Sequence, residues 1–212
     1  MKIALINENS QAAKNEQICA TLKQVVEPMG HTVCNYGMYG PEDKNQLTYV
    51  QNGILAAVLL GSKAADYVVT GCGTGAGAML ALNSFPGVLC GLVVDPSDAY
   101  MFAQINDGNA IAMPFAKGFG WGAELNLQYI FEKLFSCESG QGYPKERAVP
   151  EQRNKKILDG VRANNFKDLL ACLKGLDPEL VKGAVSGENF RELFFADCQD
   201  EEIGSYIKSI LD

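Results

Sequence analysis

Short apolar runs alternate with helical stripes along the first 135 residues, and few folds accommodate that alternation. Residues 2–7 (Lys-Ile-Ala-Leu-Ile-Asn) are apolar without in–out alternation, as in a strand buried on both faces. Ile18, Leu22, Val25, Val26 and Met29 then recur at helical spacing, and Gly30 is a helix stop. The pattern repeats: a strand over His31–Tyr36, then a helix carrying Leu47, Val50, Ile54, Ala57 and Val58, closed by Gly61. A third strand, Tyr67–Thr70, runs through a glycine loop into a small-residue helix, Ala76–Leu82. Val88–Val94 is a fourth strand, ending at Asp95-Pro96, and a helix follows from about Ser97 to Ile105. Ala110–Met113 is a short fifth strand; Leu127, Ile130, Phe131, Leu134 and Phe135 form the next helical stripe.

Five strands alternating with helices predict a three-layer α/β/α, Rossmann-like domain with a five-stranded parallel sheet over residues 1–135. Ligands of such sheets bind beyond the carboxyl ends of the strands, where Asn7–Asn9, the glycine loop and Asp95 all fall. Residues 136–156 are polar, with Pro144 and Pro150 and the cations Lys145, Arg147, Arg153, Lys155 and Lys156, and read as an extended basic arm. Residues 157–212 read as a small helical extension with three apolar stripes: Phe166, Leu169, Leu170 and Leu173; Phe190, Leu193 and Phe194; Ile203, Ile207, Ile210 and Leu211.

Composition excludes several classes. A net charge of -7 argues against a nucleic-acid partner, which demands a basic surface. Any anionic ligand must therefore be held by local cations and backbone N–H groups. The seven cysteines are odd in number and include no Cys-x-x-Cys pair, so they read as reduced thiols in a cytoplasmic protein. One histidine and no paired ligands predict no metal site. The apolar runs are too short to span a bilayer, and the N-terminus has no signal-peptide form.

The chemistry concentrates in Gly71-Cys72-Gly73-Thr74-Gly75-Ala76-Gly77. Four glycines between a strand and a helix let the backbone turn sharply and approach a ligand, and the N–H groups at the helix start form an anion site. A thiol in that position sits where a thiolate is favoured, beside donors that stabilise an oxyanion. Base and oxyanion hole together are what proton abstraction next to a carbonyl requires. The plainer alternatives are a tight turn and a cysteine that only packs. Gly73-x-Gly75-x-x-Ala78, with Asp95 ending the next strand, also fits a dinucleotide fingerprint and a nicotinamide-dependent enzyme, although this loop follows the third strand and not the first.

At these residues the sequence resembles the ribose-5-phosphate isomerase B family, which includes the galactose-6-phosphate isomerase subunits. The resemblance covers roughly residues 1–155 and is carried by Lys2-Ile3-Ala4, Cys72-Gly73-Thr74-Gly75-Ala76-Gly77, Asn83-x-Phe85-x-Gly87-Val88, Pro96 and Asn106-Asp107-Gly108-Asn109. It implies aldose–ketose interconversion of a phosphorylated sugar through an enediolate, without metal or organic cofactor. Cys72 would move the proton and Thr74 would position it or relay a hydroxyl proton. The N–H groups of Gly73, Thr74, Gly75, Ala76 and Gly77 would hold the oxyanion, assisted by Asn106, and Arg147 and Arg153 would bind the phosphate. The resemblance also implies a homodimer or larger homo-oligomer with shared active sites.

Two positions depart from the family pattern. Glu8 and Asn9 stand where many members carry Asp-His after the first strand, and both become candidate substrate-binding residues. Ile105 stands where many carry the histidine credited with opening the sugar ring. His31, the lone histidine, matches no catalytic position and reads as a surface or packing residue. The loop is kept and the ring-opening group is gone, which implies retained chemistry on a changed substrate. The alternative is a non-catalytic sugar-phosphate-binding or partner subunit.

Overall fold

The computed structural model describes all of residues 1–212. Five strands, β1 (Lys2–Asn7), β2 (Thr32–Asn35), β3 (Tyr67–Cys72), β4 (Cys90–Leu92) and β5 (Ala110–Pro114), form one fully parallel sheet in the order β2-β1-β3-β5-β4. The chain leaves β1 outward to β2 and returns across it to β3. The carboxyl ends of β1 and β3 therefore flank the switch point, the usual ligand crevice of such sheets.

Alternation along the strands divides the core in two. Ile3, Leu5, Val69, Ile111 and Met113 face α1 (Asn15–Val26), α4 (Pro96–Met101) and α5 (Ala123–Phe135). Ala4, Ile6, Val68, Cys72, Ala110 and Ala112 face α2 (Tyr49–Gly61) and α3 (Ala76–Leu82). Helix α2 starts with a reciprocal cap, in which Thr48 accepts from Gln51 N–H and the Gln51 side chain accepts from Thr48 N–H. Its residues Asn52–Leu60 are all buried. The sequence stripe predicts one apolar face for α2, yet the helix is covered on both sides. Gly53 lets the α3 backbone at Ala81 approach on one side, and Gly61 lies against Leu169 on the other.

The outer cover is the C-terminal extension: α7 (Leu169–Lys174), α8 (Pro178–Ala184), α9 (Phe190–Asp197) and α10 (Glu201–Leu211). Leu173, Val181, Val185, Phe190, Phe194, Ile203 and Ile207 join the same cluster as α2. Three aspartates, Asp168, Asp177 and Asp200, cap the starts of α7, α8 and α10.

The extended arm expected over 136–156 is corrected in its second half. After irregular chain and a short 3-10 turn, Lys145–Arg147, residues 148–156 belong to α6 (Ala148–Asn165). Pro150, which reads as a breaker, falls in the first turn, where its missing N–H is not needed. None of the 18 residues of α6 is buried, and Val149, Ile157, Leu158 and Val161 are exposed. The fourth strand is also shorter than its apolar run, and the helix after Asp95 ends in one π-turn, Phe102–Asn106. No helix is long and apolar enough to cross a membrane.

Candidate active site

Pairing of Asn7 with Gly71 places Glu8 beside Cys72 at the switch point. Cys72 is 8% exposed, on the α2–α3 side of the sheet. Glycine at 71 is required there, because a Cβ would lie 2.5 Å from the Phe115 ring and against the Met113 carbonyl. The Cys72 carbonyl accepts from Phe115 N–H (2.8 Å), and the Gly73 carbonyl accepts from Ala116 and Lys117 N–H groups (both 3.1 Å). These bonds fix the loop through its carbonyls and leave its donors free. The N–H groups of Gly73, Thr74 and Gly75 donate to no acceptor in the chain. Three successive free donors beside a thiol form a ready anion cradle.

Gly75 has a left-handed backbone, φ 78°, at the entry to α3. A Cβ there would also lie 2.6 Å from Leu92 Cδ1 and 2.9 Å from the Met113 carbonyl carbon. Gly75→Ala is expected to cost about 2–4 kcal/mol of stability, from left-handed strain plus overpacking, measured by urea unfolding. Tyr49 packs over Gly77 and walls the loop on the α2 side.

Glu8 is 4% exposed; its carboxylate accepts from Ser10 N–H (2.9 Å) and Ser10 Oγ (2.5 Å), which caps the turn Asn9–Lys14. Asn9 is exposed and its N–H donates to the Leu47 carbonyl (2.7 Å). Thr74 is exposed at the mouth of the loop.

Two groups at this end were not apparent from the sequence. Asn52 Nδ2 donates to Thr70 Oγ1 (3.0 Å), which donates to the Ile6 carbonyl (2.7 Å), and Asn52 Oδ1 is buried without a partner. Thr70 shares a strand face with Cys72, so this pair forms a polar floor near the thiol. The available signal was a second amide, next to Gln51, at the start of a helix that is apolar from Gly53 onward. Lys14 Nζ donates to the Phe115 carbonyl and to Gln11 Oε1 (2.8 Å) and lies 4.5 Å from the Phe119 ring centroid. Partial burial lowers its pKa. It ties the segment after β5 to the turn after Glu8, and nothing local in the sequence marks it.

The remaining sequence candidates lie elsewhere in this chain. Asn106 precedes β5, whereas Cys72 pairs with Pro114 at the far end of that strand. Four strand steps, about 13 Å at 3.3 Å each, separate the two ends. Ile105 and Asn106 line a 250 Å³ cleft against α6 with Glu151, Asn154, Lys155 and Leu158. Arg153, on α6, and Arg147, just before it, are exposed, and neither guanidinium bonds to anything in the chain. One chain thus assembles Cys72, Thr74, Gly73, Gly75, Ala76, Gly77, Glu8 and Asn9 at one end of the sheet, and keeps Asn106, Arg147 and Arg153 apart from them.

The dinucleotide alternative loses its acid. Strand β5 separates β3 from β4, so Asp95 is two strands from the loop. Its carboxylate caps α4, accepting from Ser97 N–H (2.8 Å), Ser97 Oγ (2.6 Å) and Asp98 N–H (3.0 Å). Those bonds, led by the Ser97 hydroxyl, hold its pKa below the usual carboxylate value. A cavity of about 700 Å³ lies at the opposite end of the sheet around His31, Asp66 and Tyr67 and includes none of the loop residues. No three His, Cys, Asp or Glu side chains converge as metal ligands.

Comparison with known proteins places this geometry. Residues 3–142 match the sequence model described as ribose/galactose isomerase, and residues 165–210 match a second, described as ribose-5-phosphate isomerase. A crystal structure of 4-deoxy-L-threo-5-hexosulose-uronate ketol-isomerase, complexed with a tartrate, is 62% identical over the whole of both chains, with a TM-score of 0.99. A ribose-5-phosphate isomerase from Vibrio parahaemolyticus is 54% identical over 100% of this chain and 99% of its own, with a TM-score of 0.97. The type B ribose 5-phosphate isomerase of Trypanosoma cruzi, 19% identical over 78% of this chain and all of its own, shares the fold at a TM-score of 0.64. A glycine loop bearing a thiol at a β1–β3 switch point is thus found in a chain that belongs to the ribose/galactose isomerase family, and the protein is an aldose–ketose sugar isomerase.

Proposed function

We propose that this isomerase acts on an open-chain sugar acid of the 4-deoxy-5-hexosulose-uronate type, with Cys72 as the base. The observation that carries the reading is the thiol beside three free N–H donors and Glu8, combined with isoleucine at 105. A sugar aldehyde closes its ring with the hydroxyl on C4 or C5. A 4-deoxy-5-keto compound has neither, so it needs no ring-opening group. Isoleucine offers no donor or acceptor for that step.

The proposed reaction balances without a cofactor. The Cys72 thiolate removes the C2 proton of the aldose, and the C1 carbonyl oxygen takes the charge, held by the N–H groups of Gly73, Thr74 and Gly75. A proton passes from the C2 hydroxyl to O1, with Thr74 and Glu8 placed to orient the two oxygens. The Cys72 thiol returns its proton to C1, leaving a C2 ketone and a C1 alcohol. Asn9 lines the approach. The anionic end of the substrate meets Arg147 and Arg153 of a second copy, whose Asn106 completes the oxyanion site. The exposed apolar residues of α6 and the distance of Asn106 from Cys72 within one chain support such a shared site in a homodimer.

A phosphorylated sugar is the second reading, favoured by the 54% identical ribose-5-phosphate isomerase. Aldehyde loss followed by proton NMR separates the two. The uronate is expected to be converted; turnover of ribose 5-phosphate with none of the uronate would replace the first reading with the second. Either anion tests the arginines. Arg147→Ala and Arg153→Ala are each expected to raise KM about tenfold, the loss of roughly 1.5 kcal/mol from one charged contact. Unchanged KM in both would leave these side chains as solvated surface.

A further inference from the structure

The segment 36–48, between β2 and α2, is held from two sides. On the inner side it is bonded to the end of β1. Asn7 N–H donates to the Gly37 carbonyl (2.5 Å), Met38 N–H to the Asn7 carbonyl (3.0 Å) and Asn9 N–H to the Leu47 carbonyl (2.7 Å). On the outer side it is held by the helical tail. Asn45 Nδ2 donates to the Gly183 carbonyl (3.1 Å), Asn189 Nδ2 donates to Tyr39 Oη (3.0 Å), and the Tyr36 and Phe190 ring centroids are 6.1 Å apart. Tyr36, Met38 and Leu47 are buried in the cluster that contains Val181, Val185 and Phe190.

Tyr39 joins the two sides. Its hydroxyl accepts from Asn189 and donates to the Asn35 carbonyl (2.9 Å). From Asn35 a ladder of amides runs inward. Asn35 Nδ2 donates to Asn15 Oδ1 (2.7 Å), and Asn15 Nδ2 donates to Asn35 Oδ1 (3.1 Å) and Asn7 Oδ1 (3.3 Å). Asn7 Nδ2 donates to the Gln11 carbonyl (3.3 Å), inside the turn that follows Glu8. Asn7 and Asn15 are 0% and 2% exposed, so these amides have little recourse to water and their partners set their geometry.

We propose that the helical tail is a positioning element for the isomerase site: it seats the 36–48 segment and, through Tyr39, the Asn35–Asn15–Asn7 ladder that fixes the Glu8 side of the cleft. This rests on the reading of Cys72 and Glu8 as the site. Tyr39 and Asn45 are the positioning residues, and neither is assigned a contact with substrate. A tail that only covers the apolar back of α2 would make no such demand on them.

The test compares kcat, KM and Tm of full-length variants on whichever substrate the parent converts, the uronate or ribose 5-phosphate. Tyr39→Phe and Asn45→Ala are each expected to lower kcat about five- to tenfold with KM within about twofold, since small misplacements of a catalytic wall act mainly on the reacting geometry. Tyr206→Phe is the matched control. It removes a tyrosine hydroxyl bonded to the Leu173 carbonyl (3.2 Å) inside the tail, away from the segment. It is expected to lower Tm as Tyr39→Phe does and to keep the parent kcat. Parent kcat in both Tyr39→Phe and Asn45→Ala, or an equal loss in Tyr206→Phe, would overturn the proposal. Glu8→Gln separates the two readings. If it loses kcat while Tyr39→Phe and Asn45→Ala do not, the tail proposal fails and the site stands. If Glu8→Gln and Cys72→Ser both match the parent, the site reading fails and the proposal with it.

Discussion

Cys72→Ser is expected to keep the fold and lose about 10³-fold in kcat, within the range that a positioned acid–base group contributes. Serine is close to isosteric with cysteine, and the loop is held by bonds to the Cys72 and Gly73 carbonyls, which the substitution does not touch. Tm should therefore stay near that of the parent. What changes is basicity: at neutral pH a hydroxyl is a far weaker proton acceptor than a thiolate. The free N–H groups of Gly73, Thr74 and Gly75 remain, so KM should move little while kcat falls. Exchange of the substrate C2 proton with solvent should fall in parallel. A variant with parent-like turnover would remove the thiol from the mechanism.

Open-chain substrate should be strongly preferred. We expect kcat/KM for the 4-deoxy-5-hexosulose-uronate to exceed those for ribose 5-phosphate and a hexose 6-phosphate by about 10²-fold or more, the usual contribution of the acid–base group that ring opening needs and Ile105 cannot supply. A tetrose phosphate, which has no free hydroxyl to close a five- or six-membered ring, should fall nearer the uronate than the hexose does. The measurement is a set of initial rates at matched concentrations. Efficient turnover of the cyclic hexose, with little on either open-chain compound, would show that another group replaces the missing histidine.

The arrangement of one chain also bears on assembly. Asn106 is displaced from Cys72 by the length of β5 and the two arginines sit on or just before α6, which carries Val149, Ile157, Leu158 and Val161 into solvent. A second copy that covers α6 would remove this apolar surface from water, and the proposed shared site requires that copy's Asn106 at the free donors of the loop. The KM effects expected for Arg147→Ala and Arg153→Ala probe the same arrangement from the substrate side.

Local patterns along the chain encode its elements directly. Continuous apolar runs marked the buried strands, 3.6-residue stripes marked the helices, and the density of glycine around Cys72 marked a backbone that must approach its neighbours closely. After residue 157, α7, α9 and α10 were legible from their three stripes, whereas α8 and the end of α6 carried none. A stripe states that a face is buried, not what buries it. Long-range packing sets the rest: α2 is covered on both sides, β5 stands between β3 and β4 and takes Asp95 away from the loop, and Pro150 begins a helix instead of ending one. The same holds for Lys14 against the Phe115 carbonyl, Asn52 beneath β3 and the Asn35–Asn15–Asn7 ladder. Each depends on contacts between residues distant in sequence, which the order of the strands creates and no local pattern records.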